Sequence, residues 1–167
     1  MVKVTDSVKN IGKIYLKIPS ETFYLDLVRK VIVDVAGKVG FSKVDAGKIE
    51  MAVDEACTNI IKHAYVQKKD IHLHKDYPLR RATDIKRSID LRIHVDSEKI
   101  SVSILDQGRP FDFNKYGKID LETYLSEMQI GGLGIYVIKN FMDKIHYKHD
   151  TGAGNELKMI KYFNPKG

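Results

Sequence analysis

Ile89, Leu91, Ile93 and Val95 alternate with polar residues, and after Asp96-Ser97-Glu98-Lys99 the alternation resumes at Ile100, Val102 and Ile104. A period of two puts these apolar side chains on one face of a pleated strand. Two such runs joined by a short polar turn form an antiparallel hairpin with one buried face. Whatever else the chain folds into must cover that face. Asp106 lies just past the second strand.

The flanking segments supply the cover. Lys13–Ile18 reads as a strand, with Ile14, Leu16 and Ile18 alternating, and Pro19 stops it. Ser20 is the expected N-cap of a helix in which Leu25, Val28, Ile32, Val35 and Val39 recur at helical spacing. Gly37 and Gly40 weaken its end. A second helix is expected from about Val44 to Tyr65, with Ser42 as its cap and Ile49, Ala52, Val53, Ala56, Ile60 and Ala64 as its apolar stripe. Asp54, Glu55, Asn59, Lys62 and His63 fall largely outside that stripe.

Val66 to Arg87 is polar, contains Pro78 and has no sustained period, so it reads as a long connection. Phe111 to Ile130 is mixed, with a short helix expected over Leu121–Met128. Gly131-Gly132-Leu133-Gly134 then opens a helix carrying Ile135, Ile138, Phe141, Met142 and Ile145. Ile145–His149 and Leu157–Phe163 read as final strands around a Thr151–Asn155 turn. Strand, two helices, hairpin, helix and two strands make an α+β pattern within a single domain, residues 1–167.

Composition narrows the function classes. No apolar run approaches the roughly 20 residues that cross a bilayer. Met1 to Asp6 is too polar for a signal-peptide core, so a cytoplasmic protein with no membrane association is expected. The single cysteine, Cys57, excludes an internal disulfide and a cysteine-rich zinc site, and reads as a small core residue. His72-x-His74 is incomplete as a metal site. Lys+Arg of 28 against Asp+Glu of 22 gives +6, which suits phosphate ligands, acidic partners or nucleic acid without selecting among them. The positive charges are scattered apart from a denser stretch from Lys68 to Arg92, and there is no aromatic stacking platform, so direct nucleic-acid binding is not expected.

Three short clusters carry the candidate chemistry. Glu55 and Asn59 are four residues apart and share a helix face, which His63 continues. Alone, they also fit a solvated polar face. Asp106-Gln107-Gly108-Arg109-Pro110 follows a strand directly. A carboxylate there can accept from an amino group, and Gly108 lets a ligand approach the backbone. Alone, this also fits a common turn. Gly131 to Gly134 precedes a helix N-terminus, where backbone N–H groups bind phosphate. It lacks the Lys-Ser/Thr of a Walker loop and the surrounding βαβ unit of a dinucleotide fingerprint, and alone it equally fits a flexible hinge.

In order and spacing the three clusters resemble the N, G1 and G2 boxes of the Bergerat-type ATPases. Met51 to Tyr65 looks like the N box, Asp106 to Asp112 like the G1 box, and Gly131 to Ile135 like the G2 box. The wording Glu-Ala-x-x-Asn…His-Ala-Tyr, Asp-x-Gly-x-Pro-Phe-Asp and Gly-Gly-Leu-Gly-Ile is similar to the bacterial anti-sigma-factor serine/threonine kinases, as is the closing Gly154 to Lys161. The resemblance runs from about Ile11 to Phe163.

That resemblance implies a two-layer α/β sandwich, with a mixed, mostly antiparallel sheet and helices on one face. It implies ATP and Mg2+ as ligands. Asn59 would hold the magnesium, Glu55 would be the general base, and Asp106 would accept from the adenine amine. Gly108 would let the adenine sit against the backbone. Gly131, Gly132, Leu133, Gly134 and Ile135 would line the triphosphate, with His63, Pro110 and Asn155 completing the nucleotide site. Asn155 stands where many relatives carry threonine, and Pro110 where the wider superfamily often has glycine. The implied partners are a sigma factor, an antagonist protein and a second copy of the chain. The rival readings are an ATP-binding regulatory module without kinase activity and, more remotely, a nucleic-acid binder.

Overall fold

The computed structural model describes residues 12–65, 87–110 and 133–163. Most of the long polar connection with its His72-x-His74, the short helix expected over Leu121–Met128, and both Gly131 and Gly132 lie outside the described residues.

Strand β1 (Gly12–Pro19) leads through a short 3-10 turn, Thr22–Tyr24, into helix α1 (Leu25–Lys38). Helix α2 (Lys43–Asn59) continues as a wide π-type turn over Ile60–Ala64. Strands β2 (Ser88–Val95) and β3 (Lys99–Asp106) form the expected hairpin. Helix α3 (Leu133–Phe141), β4 (Lys144–Asp150) and β5 (Gly154–Tyr162) follow, so α3 stops short of Ile145, which lies in β4 and not on the helix as expected.

The strands form one five-stranded sheet in the order β1-β2-β3-β5-β4. Every pairing among them is antiparallel. Val28 and Ile32 of α1, Ile49 and Val53 of α2, and Ile138 of α3 are buried in one cluster with the inward residues of β2, β3 and β5. α2 packs against both α1 and α3. The Arg29 guanidinium grips Asp54 through two bonds, at 2.8 and 3.2 Å, and ties α1 to α2.

Most element boundaries follow local chemistry. Ser42 caps α2 as expected, its Oγ accepting from the Asp45 N–H at 3.0 Å. Gly40 adopts a left-handed φ of 101° just past α1, and the Phe41 N–H closes back onto Ala36 at 3.0 Å.

Four boundaries are corrected. Ser20 does not cap α1: the 3-10 turn intervenes, the residue before the helix is Tyr24, and no side chain caps it. Pro19 belongs to β1, which tolerates it as an edge strand. Asp106 is the last residue of β3, where pairing with Asn155 extends the ladder. Asn155 itself lies in β5 rather than in the preceding turn, because Gly154 takes a φ of 87° and turns the chain one residue early.

Candidate functional site

The polar face of α2 supplies the first wall. Glu55 and Asn59 lie one turn apart, and the wide turn after Asn59 carries His63 and Ala64 onward. Wide turns of this kind recur at functional sites. The Ala64 carbonyl, left without an intrahelical partner, accepts the Arg109 N–H at 2.9 Å. Tyr65 pins the same end, its hydroxyl donating to the Ser88 carbonyl at 3.2 Å and accepting from the Gln107 N–H at 3.0 Å. Burial holds that phenol above its ordinary range.

The loop after β3 supplies the second wall. A Cβ on Gly108 would overlap the Ala64 side chain and stand 2.7 Å from its carbonyl oxygen, so only glycine fits where loop and helix meet. Asp106 is 7% exposed. Its Oδ1 accepts the Gly108 N–H at 2.7 Å and the Asn155 amide at 3.0 Å. Burial raises its carboxyl above the usual value, and those two bonds offset only part of the rise.

The third wall is the start of α3. A Cβ on Gly134 would lie 2.5 Å from Glu55 Oε2 and 3.5 Å from Asn59 Nδ2. The Gly134 backbone therefore meets the carboxylate–amide pair of α2 at close range.

These walls enclose one cavity of about 220 Å³. Asn59, His63, Asp106, Pro110, Ile135 and Asn155 all line it, as does Arg109. Gly108 and Gly134 abut its walls, and Glu55 stands beside Gly134. Leu133 is half exposed at the helix start. The apolar floor comes from residues that sequence reasoning did not single out as site residues, among them Ala56, Ile138, Tyr147 and Leu157. Tyr147 was legible only as an alternating strand residue. Its place in the site comes from register, since it pairs with Leu157. Cys57 lies beside Ala56 but is sealed in the core, where burial pushes its thiol up to about 12. It takes no part in the site.

Residues 18–161 match the family described as the histidine kinase-like ATPase domain. The chain belongs to that family. Among its relatives is the serine-protein kinase RsbW of Bacillus cereus (strain ATCC 10987 / NRS 248), 31% identical over 154 residues, covering 90% of this chain and 84% of the relative. RsbW of Bacillus velezensis is 30% identical over 160 residues, covering 93% and 88%. These relatives put the chain in the branch of anti-sigma-factor serine/threonine kinases that its three boxes resemble.

Two solved structures share the fold. One holds the RsbU and RsbW domains of Rv1364c from Mycobacterium tuberculosis, with a TM-score of 0.60 at 13% identity, covering 92% of this chain and 33% of that one. The other is the SiaB-SiaC complex from Pseudomonas aeruginosa, with a TM-score of 0.60 at 10% identity, covering 93% and 90%. Among the described residues, no helix is long and apolar enough to cross a membrane.

Proposed function

We propose that this chain is an ATP-dependent serine/threonine protein kinase acting as an anti-sigma regulatory factor in the cytoplasm. It phosphorylates an antagonist protein and sequesters a sigma factor, and it works as a homodimer. One observation carries the nucleotide part of this reading. The Gly134 backbone lies against Glu55 and Asn59, while Asp106 and Asn155 line the same cavity. Relatives named serine-protein kinase support the choice of reaction. A fold neighbour solved as the SiaB-SiaC complex fits a chain that works on a protein partner.

In this reading the adenine amine donates to Asp106, and Gly108 lets the ring lie close to the backbone. Gly131, Gly132, Leu133 and Gly134 line the triphosphate at the α3 N-terminus, where N–H groups point at anions. His63, Pro110, Ile135 and Asn155 complete the enclosure. The partner's serine or threonine oxygen attacks the γ-phosphorus, the bond to the β,γ-bridging oxygen breaks, and ADP leaves. Glu55 takes the hydroxyl proton.

Magnesium fits the donors present only if the ligand completes its shell. Among the described residues no cluster of three His, Cys, Asp or Glu side chains is placed to hold a cation. Asn59 would contribute a hard amide oxygen to such an ion, the ligand and solvent completing the shell. Its charge would offset that of the phosphates.

The test is γ-phosphate transfer from labelled ATP to the cognate antagonist. Glu55→Ala is expected to keep ATP binding and lose about a hundredfold in rate. Transfer at full rate in that variant removes Glu55 as the base. ATP binding without transfer to any partner favours the regulatory module without kinase activity. Light scattering reads the homodimer directly.

A further inference from the structure

Glu55 can take a proton from a partner's hydroxyl only if that partner lies over the surface around Glu55. That surface has a distinct make-up. Going back along α2 one turn at a time, Glu55, Met51, Gly47 and Val44 share a face. Met51 is 48% exposed and Val44 67%, and seven residues set them about 10 Å apart along the helix axis. Leu133, the residue before the Gly134 that abuts Glu55, is 47% exposed. The base thus has an uncovered apolar side chain on each of the two helices beside it, and exposed apolar groups that gather in one place mark interaction surfaces.

Gly47 leaves a notch between Val44 and Met51. Glycine inside a helix is unfavourable relative to alanine, because it has more backbone freedom to lose on folding. Close packing of another segment can justify it, but a Cβ on Gly47 would meet nothing within 4 Å among the described residues. Packing against those residues therefore does not account for it. A gap with an apolar residue on either side suits an apolar side chain entering from outside. Beyond Glu55 the character changes, since Lys62 and His63 are both exposed in the wide turn. That end suits a partner carrying carboxylates. A homodimer that covered this ridge would bury the base its substrate has to reach, so a second copy sits elsewhere.

We propose that the outer ridge of α2 over Val44, Gly47 and Met51 is the docking surface for the protein substrate, an acidic partner that seats an apolar side chain at Gly47 and so brings its serine or threonine hydroxyl to Glu55. The inference rests on the kinase reading above. Gly47 and Glu55 lie about 12 Å apart along the axis, a span that about four residues of extended chain cover.

The experiment measures steady-state γ-phosphate transfer by the full chain to the protein that accepts label in the transfer assay above. Gly47→Leu fills the notch and gains helix propensity, so it is expected to melt no lower than the parent. Its KM for the protein substrate is expected to rise about tenfold or more, with kcat and ATP affinity kept. Val44→Ser/Met51→Ser is expected to give the same split. Lys62→Glu is expected to raise that KM about threefold at low salt and less at high salt.

Met51→Cys carrying a photocrosslinker reads the occupant directly, because the native Cys57 is buried. A covalent adduct with the protein substrate is expected. An adduct between two copies of the chain overturns the proposal in favour of a self-association face. An unchanged KM in both Gly47→Leu and Val44→Ser/Met51→Ser overturns the docking surface and leaves the kinase reading standing. Absence of transfer to any protein by the unsubstituted chain overturns the kinase reading, and the docking surface with it.

Discussion

The Arg109 N–H donates to the Ala64 carbonyl oxygen at 2.9 Å, and this one backbone bond joins the loop after β3 to the end of the α2 helical segment. It is possible because Gly108, one residue earlier, has no side chain to collide with Ala64. Two of the three sequence clusters thus meet through main-chain atoms.

Gly108→Ala is therefore expected to break the junction. The added methyl overlaps Ala64 and its carbonyl, which are fixed backbone and core atoms that cannot step aside. Overpacking of this kind costs about 1–3 kcal/mol. Denaturant melts should show that loss, and ATP affinity should fall with it.

Gly134→Ala separates stability from catalysis. Here the added methyl meets the end of the Glu55 side chain, 2.5 Å from Oε2, and that carboxylate can rotate away. The fold should survive with little change in melting temperature. Displacing the proposed base by even an ångström costs up to about a hundredfold in rate. Transfer kinetics beside a thermal melt make the comparison.

Asp106→Asn should trade function for stability. Burial raises the folded Asp106 carboxyl above its ordinary value of 3.8. For an acid with a raised folded value, the folded state holds its proton more tightly than the unfolded chain. Ionisation therefore removes stability as pH rises through the window above 3.8. The penalty is absent below 3.8 and grows as pH rises above it. The uncharged amide escapes it, and its oxygen still accepts from Asn155 and Gly108. Without nucleotide, Asp106→Asn should melt at or above the parent temperature at pH 7, an advantage that vanishes near pH 3. It should also lose ATP binding, because a donor now faces the base amine.

Cys57 should be inert in the folded protein. Burial pushes its thiol up to about 12, leaving almost no thiolate at pH 8. A thiol reagent at that pH should label the chain only after denaturant unfolds it. Rapid labelling of the native protein would show that the α2 core opens.

The sequence by itself determined which residue types carry the site and which elements they ride on. Alternation over residues 89–104 specified the hairpin, because a strand's side chains must alternate between faces. Ser42 capped its helix because a cap bond spans only three residues. The spacing of Glu55 and Asn59 set them one turn apart for the same local reason. Tertiary structure decided everything that depends on distant segments meeting. Asn155 read as part of a turn, yet it faces Asp106 across 49 positions because Gly154 turns the chain early and β3 pairs with β5. Tyr65 closed the N-box wording but its bonds to Ser88 and Gln107 were not legible there, and Tyr147 and His149 read only as strand residues until register and long-range bonds set what they touch. Periodicity and capping act over a few residues, whereas a cavity is made by chain segments whose contacts no local pattern encodes.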